Sequence, residues 1–371
     1  MKDDVVKALL YRVTKDLVTD EETEKYRKYF QAMAKYKYDN YQQYSAGLRF
    51  IETLAIWLEQ FQNNTDKKIA LEFVVNRLVY ISTSEINLIA ESCFIDRLQS
   101  ILVTITAHKL EMPSYKLTAI LNSAEYNILL RQSLFCGLSD GARLDIFRRA
   151  NTGILTHEQI YLTYELSAQR IAKMKKELLE DLKQNFDIDC ELTPEEGMFK
   201  TLFLIDDFSA SGTSYLKFDK KLKGKIAGLY ENIFTSDNND PAFDVKNLKI
   251  YIILYLCTTK AKDMIESNFD KLFETYGHRP ELIIMHELDD QYTIKPSEDI
   301  FKVCSEDQYY DKELIEDKHT LSNIKMGFSD CSLPLVLEHN TPNNSIPLLW
   351  TYDYSKKFKG LFPRIPRHRV I

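Results

Sequence analysis

Leu202-Phe203-Leu204-Ile205-Asp206-Asp207-Phe208-Ser209-Ala210-Ser211-Gly212-Thr213-Ser214 is the stretch that decides how the rest of the chain is read. Four apolar residues run into two adjacent carboxylates, and a loop of small and hydroxyl residues follows. A buried strand is rigid, and its carboxyl end is where open α/β sheets place their ligands. Small residues let backbone N–H groups approach an anion, and Ser209, Ser211, Thr213 and Ser214 add hydroxyl donors. A helix opening near Thr213 and running to Phe234 is expected to add the positive end of its dipole. Two carboxylates beside a phosphate cradle repel the ligand unless they hold another part of it. A ribose offers vicinal hydroxyls that donate to carboxylates, so the stretch reads as a sugar-phosphate site. The competing reading is a strand end whose Asp and Ser cap a turn.

The segment resembles the phosphoribosyl-pyrophosphate (PRPP) signature of type I phosphoribosyltransferases. That resemblance implies that Asp206 and Asp207 hold the ribose hydroxyls and that Ser209, Ala210, Ser211, Gly212, Thr213 and Ser214 hold the 5′-phosphate. Ala210 departs from the Gly or Thr often found there, at little cost to a loop that works through its backbone. Mg²⁺ accompanying PRPP or a nucleotide is the implied cofactor.

Outward from this stretch lie the strands such a site requires. Ile128-Leu129-Leu130 and Ser133 to Leu138, Lys249 to Thr258, Glu281 to Leu288 and Leu333 to Leu337 are short apolar runs. Near-continuous apolar runs suit a parallel sheet covered on both faces. Thr156-His157-Glu158-Gln159 is a capping box that predicts a helix to about Phe186, and Ile265, Phe269, Leu272, Phe273 and Tyr276 mark another, stopped by Gly277. Strands alternating with helices predict an α/β fold.

Residues 1–125 read as a separate helical domain, with the phosphoribosyltransferase-like domain over 126–371. Tyr26 to Tyr44, Leu48 to Phe61 and Ile69 to Ile81 are helix-compatible, Asn63 to Asp66 separates the last two, and Ser82-Thr83-Ser84-Glu85 is a second capping box. No glycine occurs before Gly47 and none between it and Gly137, which suits packed helices.

At 371 residues the chain can bury a large core. No apolar run reaches membrane-spanning length, and Met-Lys-Asp-Asp lacks a signal-peptide core, so no membrane and a cytoplasmic location are expected. The six cysteines are dispersed, as buried thiols of a reducing compartment would be. A net charge of −7 argues against bulk attraction to nucleic acid. The carboxyl-terminal Lys356, Lys357, Lys359, Arg364, Arg367 and Arg369 read first as a solvated tail and second as a phosphate contact. P-loop, dinucleotide-fingerprint and zincin patterns are missing from the sequence.

Two further segments are candidates. Ser139-Asp140-Gly141-Ala142-Arg143 ends the first strand of the α/β part. Type I phosphoribosyltransferases place a pyrophosphate loop at the corresponding position, and Arg143 would suit a diphosphate. Ser-Asp-Gly is equally good turn chemistry, and Arg148 and Arg149 are alternative cations. His339, Asn340 and Asn343 follow the last strand and could read a base or an acceptor through amide groups; a polar strand exit would look the same.

Together with Leu361-Phe362-Pro363-Arg364, these segments are similar to orphan phosphoribosyltransferase-like effectors of prokaryotic conflict systems, including retrons. That resemblance implies a toxic anti-phage effector restrained by a reverse transcriptase with its RNA-linked DNA and often by a winged-helix protein. It implies chemistry at the anomeric carbon, by transfer or hydrolysis. A non-catalytic subunit that senses a nucleotide or PRPP, or serves assembly, is the alternative.

Overall fold

The computed structural model describes residues 3–163, 168–185, 197–235, 242–311 and 324–365. They gather into two compact units, one made of residues up to 85 together with those from 289 onward, the other of residues 86–288. Among the described residues the strands are β1 (Val79–Ile81), β2 (Ser133–Gly137), β3 (Ile160–Leu162), β4 (Thr201–Ser209), β5 (Lys217–Asp219), β6 (Lys221–Lys223), β7 (Lys249–Thr258), β8 (Glu281–Leu288) and β9 (Leu335–Leu337).

In the unit of residues 86–288, five strands form a sheet in the order β3-β2-β4-β7-β8, and every pairing is parallel. This is the mixed α/β architecture with a parallel sheet that the apolar runs predict. Leu202 to Ile205 are all buried, and every residue of β7 after Lys249 is buried. Burial on both faces explains why these strands lack polar alternation. One face, with Leu202, Leu204, Ile252 and Leu254, packs on helices Ala168–Asn185, Lys225–Phe234, Thr259–Glu266 and Phe269–Tyr276. On the other, Phe135, Phe203 and Tyr251 stack from strand to strand at 4.9 and 5.2 Å. Phe94 and Phe147 cover Phe135 at 6.0 and 5.5 Å. Phe94 belongs to the helical run Thr83–Lys109, which passes through a π-helical turn at Phe94–Leu98. Helices before residue 125 therefore supply one cover of the sheet, and the compact units divide at 85/86 and 288/289.

Several expectations need correction. Thr156 and Gln159 do form a capping box, but it closes only the short turn His157–Gln159. The chain then becomes edge strand β3, because Gln159 Nε2 donates to the carbonyls of Leu130 (2.6 Å) and Ser133 (2.9 Å) and ties the segment to β2. A separate helix runs from Ala168 to Asn185; Phe186 lies outside the described residues. Ile128-Leu129-Leu130 belongs to the helix Ala124–Arg131, capped by Ser123, and not to a strand. No helix opens at Thr213: the antiparallel hairpin β5-β6 intervenes and the helix begins at Lys225. Gly277 ends its helix as expected, with φ +75° and its N–H on Phe273 O.

The other unit is largely helical at its amino-terminal end, with helices Asp3–Thr14, Asp20–Tyr36, Phe50–Glu59 and Asn64–Asn76. The last starts on Asn63 as its cap, so Asn64 to Asp66 form its first turn. The Ser82/Glu85 capping box is present, with Ser82 N–H donating to Glu85 and Glu85 N–H donating to Ser82 Oγ. β1 pairs in parallel with β9, so the Leu333 to Leu337 run joins this two-stranded sheet and not the main one. The carboxyl-terminal segment is not a solvated tail up to residue 364. Phe358, Leu361 and Phe362 are buried, and Phe362 packs among Tyr38, Tyr41, Phe50 and Tyr80 at 5.2–5.8 Å. Lys359 pairs with Asp353 at 3.6 Å and Arg364 lies over the Trp350 ring. Arg367 and Arg369 lie outside the described residues.

Cys93, Cys136, Cys257, Cys304 and Cys331 are buried free thiols, and Cys190 lies outside the described residues. No helix of the described residues is long and apolar enough to cross a membrane.

Candidate functional site

The sheet order fixes where a ligand crevice lies. From β2 the chain goes outward to β3, then returns across β2 to β4, so the connections leaving the carboxyl ends of β2 and β4 diverge. That is the switch point at which open α/β sheets bind ligands. β2 delivers Ser139, Asp140, Gly141, Ala142 and Arg143 to this place, and β4 delivers Asp206, Asp207 and the loop Ser209–Ser214.

The phosphate-loop candidate keeps unused donors. Among the described residues, the backbone N–H groups of Ser211, Gly212, Thr213 and Ser214 donate to no carbonyl or side chain. Ser209 Oγ is buried and has no partner among the described residues. Ser211 and Gly212 are buried and Thr213 is half-buried, so their N–H groups are costly unless a ligand supplies an acceptor, whereas Ser214 is exposed. Ser211 Oγ and Thr213 Oγ1 share a hydrogen bond of 3.0 Å. Gly212 has φ +72°, and a Cβ there would lie 2.8 Å from Ala261 O, so both conformation and space demand glycine. Thr258 Oγ1 donates to Ala210 O at 2.6 Å and tethers the loop to β7.

Behind the loop the two acids differ. Asp206 is fully buried and takes four donors. Its Oδ1 accepts from Ser139 Oγ and from Asp207 N–H. Its Oδ2 accepts from Tyr215 OH at 2.8 Å and Lys225 Nζ at 2.7 Å. Burial and the charge of Asp206 push the Tyr215 hydroxyl well above its ordinary pKa, so it stays a donor. Asp207 lies against the other loop: a Cβ on Gly141 would fall 2.6 Å from Asp207 Oδ2. Burial, then the adjacent Asp206 charge, push the Asp207 carboxyl up to about 7, against the opposing pull of the Phe208 N–H, Lys225 and Arg143. Asp207 is therefore easier to protonate than an ordinary Asp.

In the Ser139–Arg143 segment, Arg143 adopts the left-handed conformation, φ 51°, as it enters the helix Leu144–Ala150. Among the described residues its guanidinium makes no hydrogen bond or ion pair, and its Nε is buried without a partner. The alternative cations are engaged: Arg148 donates to Ile160 O, and Arg149 pairs with Asp145 at 3.3 Å. His339, Asn340 and Asn343 belong to the other unit. There His339 O accepts from Gln43 Nε2 at 2.7 Å, Asn340 N–H donates to Leu337 O, and Asn343 O accepts from Phe328 N–H.

Sequence reading missed Lys225 and Tyr215. The available signal was the hairpin: Lys217-Phe218-Asp219 and Lys221-Leu222-Lys223 alternate around Lys220, so the apolar helical period resumes only at Ile226, leaving Lys225 as the first helical residue.

A parallel sheet carrying an acid pair and a small hydroxyl loop on its central strand, at the switch point, defines a phosphoribosyltransferase-like α/β protein. The chain belongs to the PRTase-CE family, whose model matches residues 54–364. No curated protein and no solved structure matches the chain.

Proposed function

We propose that this protein binds PRPP or a ribonucleotide 5′-phosphate at Ser209–Ser214 and acts at the anomeric carbon of the ribose. The observation that carries this reading is the run of unused N–H groups from Ser211 to Ser214, at the carboxyl end of β4 and directly beyond the acid pair. The 5′-phosphate would take those donors, Asp207 would accept from a ribose hydroxyl, and Arg143 would face the diphosphate. With PRPP the bond from the anomeric carbon to the diphosphate oxygen breaks and its electron pair leaves with the diphosphate; with a ribonucleotide the glycosidic C–N bond breaks and its electron pair leaves with the base. A bond to the acceptor forms, and the acceptor's proton is released. The protein's contribution is to hold the sugar in line and to place fixed donors where charge develops.

Mg²⁺ fits this site as an ion carried by the ligand. The described residues hold no group of three or more His, Cys, Asp or Glu side chains able to bind a metal, so the diphosphate and ribose oxygens would supply most of its ligands. Bound there, the ion would stabilise charge on the departing diphosphate.

We further propose a cytoplasmic effector of an anti-phage system of retron type, toxic when released from a reverse transcriptase with its RNA-linked DNA and a winged-helix protein. The resemblance of the motif set supports this reading. Growth and metabolite profiles of cells expressing the wild type, compared with an Asp206→Asn/Asp207→Asn variant at matched levels, test it. Toxicity and a changed nucleotide or PRPP pool, both lost in the variant, are expected. Toxicity that survives removal of the acids would overturn the enzymatic reading. The saturation of Asp206 by internal donors favours one second reading, a pocket that senses the ligand without turnover; ligand binding with an unchanged metabolite pool is its signature.

A further inference from the structure

Asp206 has no acceptor capacity left for a sugar. A carboxylate offers about four lone-pair sites, and Ser139 Oγ, Asp207 N–H, Tyr215 OH and Lys225 Nζ fill them. These donors come from the loop after β2, from β4 itself, from the end of the phosphate loop and from the start of the next helix. Lys225 is also bound to the loop through its backbone, since its N–H donates to Ser214 O at 3.1 Å. Its ammonium lies 5.0 Å from the centre of the Tyr215 ring, which fixes its approach. The Lys225 side chain is 36% exposed, whereas that of Asp206 is fully buried, so the pair spans the distance from core to solvent.

An unpaired anion buried behind a phosphate cradle would repel the phosphate and would itself be costly to bury. We propose that Lys225 is a positioning residue: as the counter-cation of a saturated Asp206, it cancels the charge behind the Ser209–Ser214 loop so that the loop can hold a phosphate. Asp206 then serves the loop and not the sugar. This rests on the sugar-phosphate reading above and changes one part of it, because only Asp207 of the acid pair is left for the ribose.

The test is titration of ribose 5-phosphate into the full chain at pH 7.5, with melting curves to confirm folding. The wild type is expected to bind. Asp206→Asn, which keeps the shape and removes the charge, should stay within about threefold of wild type. Lys225→Met should weaken binding at least tenfold, and Lys225→Arg should restore most of it. The decisive variant is Asp206→Asn/Lys225→Met, in which neither charge remains: its affinity should recover to within about threefold of Asp206→Asn. A loss of affinity in Asp206→Asn comparable to that in Lys225→Met would show Asp206 contacting the sugar and overturn the proposal. So would a double variant as weak as Lys225→Met, which would place Lys225 on the ligand. If the wild type itself does not bind, the sugar-phosphate reading fails and this inference fails with it; binding by all variants alike overturns this inference alone. Should Lys225→Met not fold, Lys225→Gln and Asp206→Asn/Lys225→Gln take its place, with the same outcomes expected.

Discussion

Two polar loops leave the ends of strands in this protein, and they put similar residues to opposite uses. Loop Ser209–Ser214 leaves β4 with the N–H groups of Ser211 to Ser214 and the buried Ser209 hydroxyl lacking acceptors among the described residues. Loop Glu338–Ser345 leaves β9 with most of its polar groups already engaged. Glu338 accepts from Thr83 N–H and Oγ1, Thr341 N–H donates to Tyr41 OH, and Thr341 Oγ1 donates to Phe362 O. Asn344 Nδ2 donates to Phe328 O, and Ser345 Oγ donates to Leu335 O. Among the described residues, Asn340 Oδ1 is buried without a partner. Composition marks both loops as binding candidates; hydrogen-bond accounting separates a loop with unused donors from one that closes a core.

The largest effect expected from this contrast is on the second region. Phe362 sits in a cage of aromatic rings that the Glu338–Ser345 loop and Tyr41 close over. Phe362→Ala should cost about 3–5 kcal/mol in denaturant unfolding, as large-to-small changes in a packed core do. A loss below about 1 kcal/mol would mean that the carboxyl-terminal segment is not core and would blur the comparison.

A smaller effect follows from Asp207. Its pKa is raised from an ordinary 3.8 to about 7 in the folded protein, so between those values the folded state holds a proton that the unfolded chain has released. Stability from this group therefore falls as pH rises through that window and is lowest above 7. Asp207→Asn removes the penalty, and its melting temperature should gain on wild type more at pH 8 than at pH 4. An equal difference at both pH values would show that burial does not perturb this acid.

Arg143 should show the smallest effect on folding. Its guanidinium makes no hydrogen bond or ion pair among the described residues, so Arg143→Ala should change stability by no more than about 0.5 kcal/mol. Affinity for PRPP should nonetheless drop about tenfold, the worth of one charge-assisted hydrogen bond, while ribose 5-phosphate binding stays within twofold. Equal losses for both ligands, or none for either, would make Ser139–Arg143 a simple turn.

The parallel sheet was legible because burial on both faces leaves its mark on every residue of a strand, as in Leu202 to Ile205 and Ile250 to Thr258. The acid pair and hydroxyl loop were legible for a related reason: rigid strand, acids and small residues follow one another locally. What escaped was set by distant contacts. β3 was hidden because a capping box at Thr156 signals a helix start, while Gln159 is recruited by carbonyls near β2. Lys225 was hidden because its partner lies nineteen residues away across an inserted hairpin. The end of the chain looked solvated because Lys356, Lys357 and Lys359 dominate its composition, yet the apolar residues between and after them carry its packing.

Calorimetric titration of PRPP with Mg²⁺ into wild type, Gly212→Val and Asp207→Asn tests the central claim most directly. The wild type should bind. Gly212→Val, whose side chain must crowd Ala261 O and strain a φ of +72°, should bind at least tenfold more weakly. Asp207→Asn should also lose about tenfold, through the missing ribose acceptor. No binding by the wild type, or unchanged affinity in both variants with their folds intact, would contradict the claim.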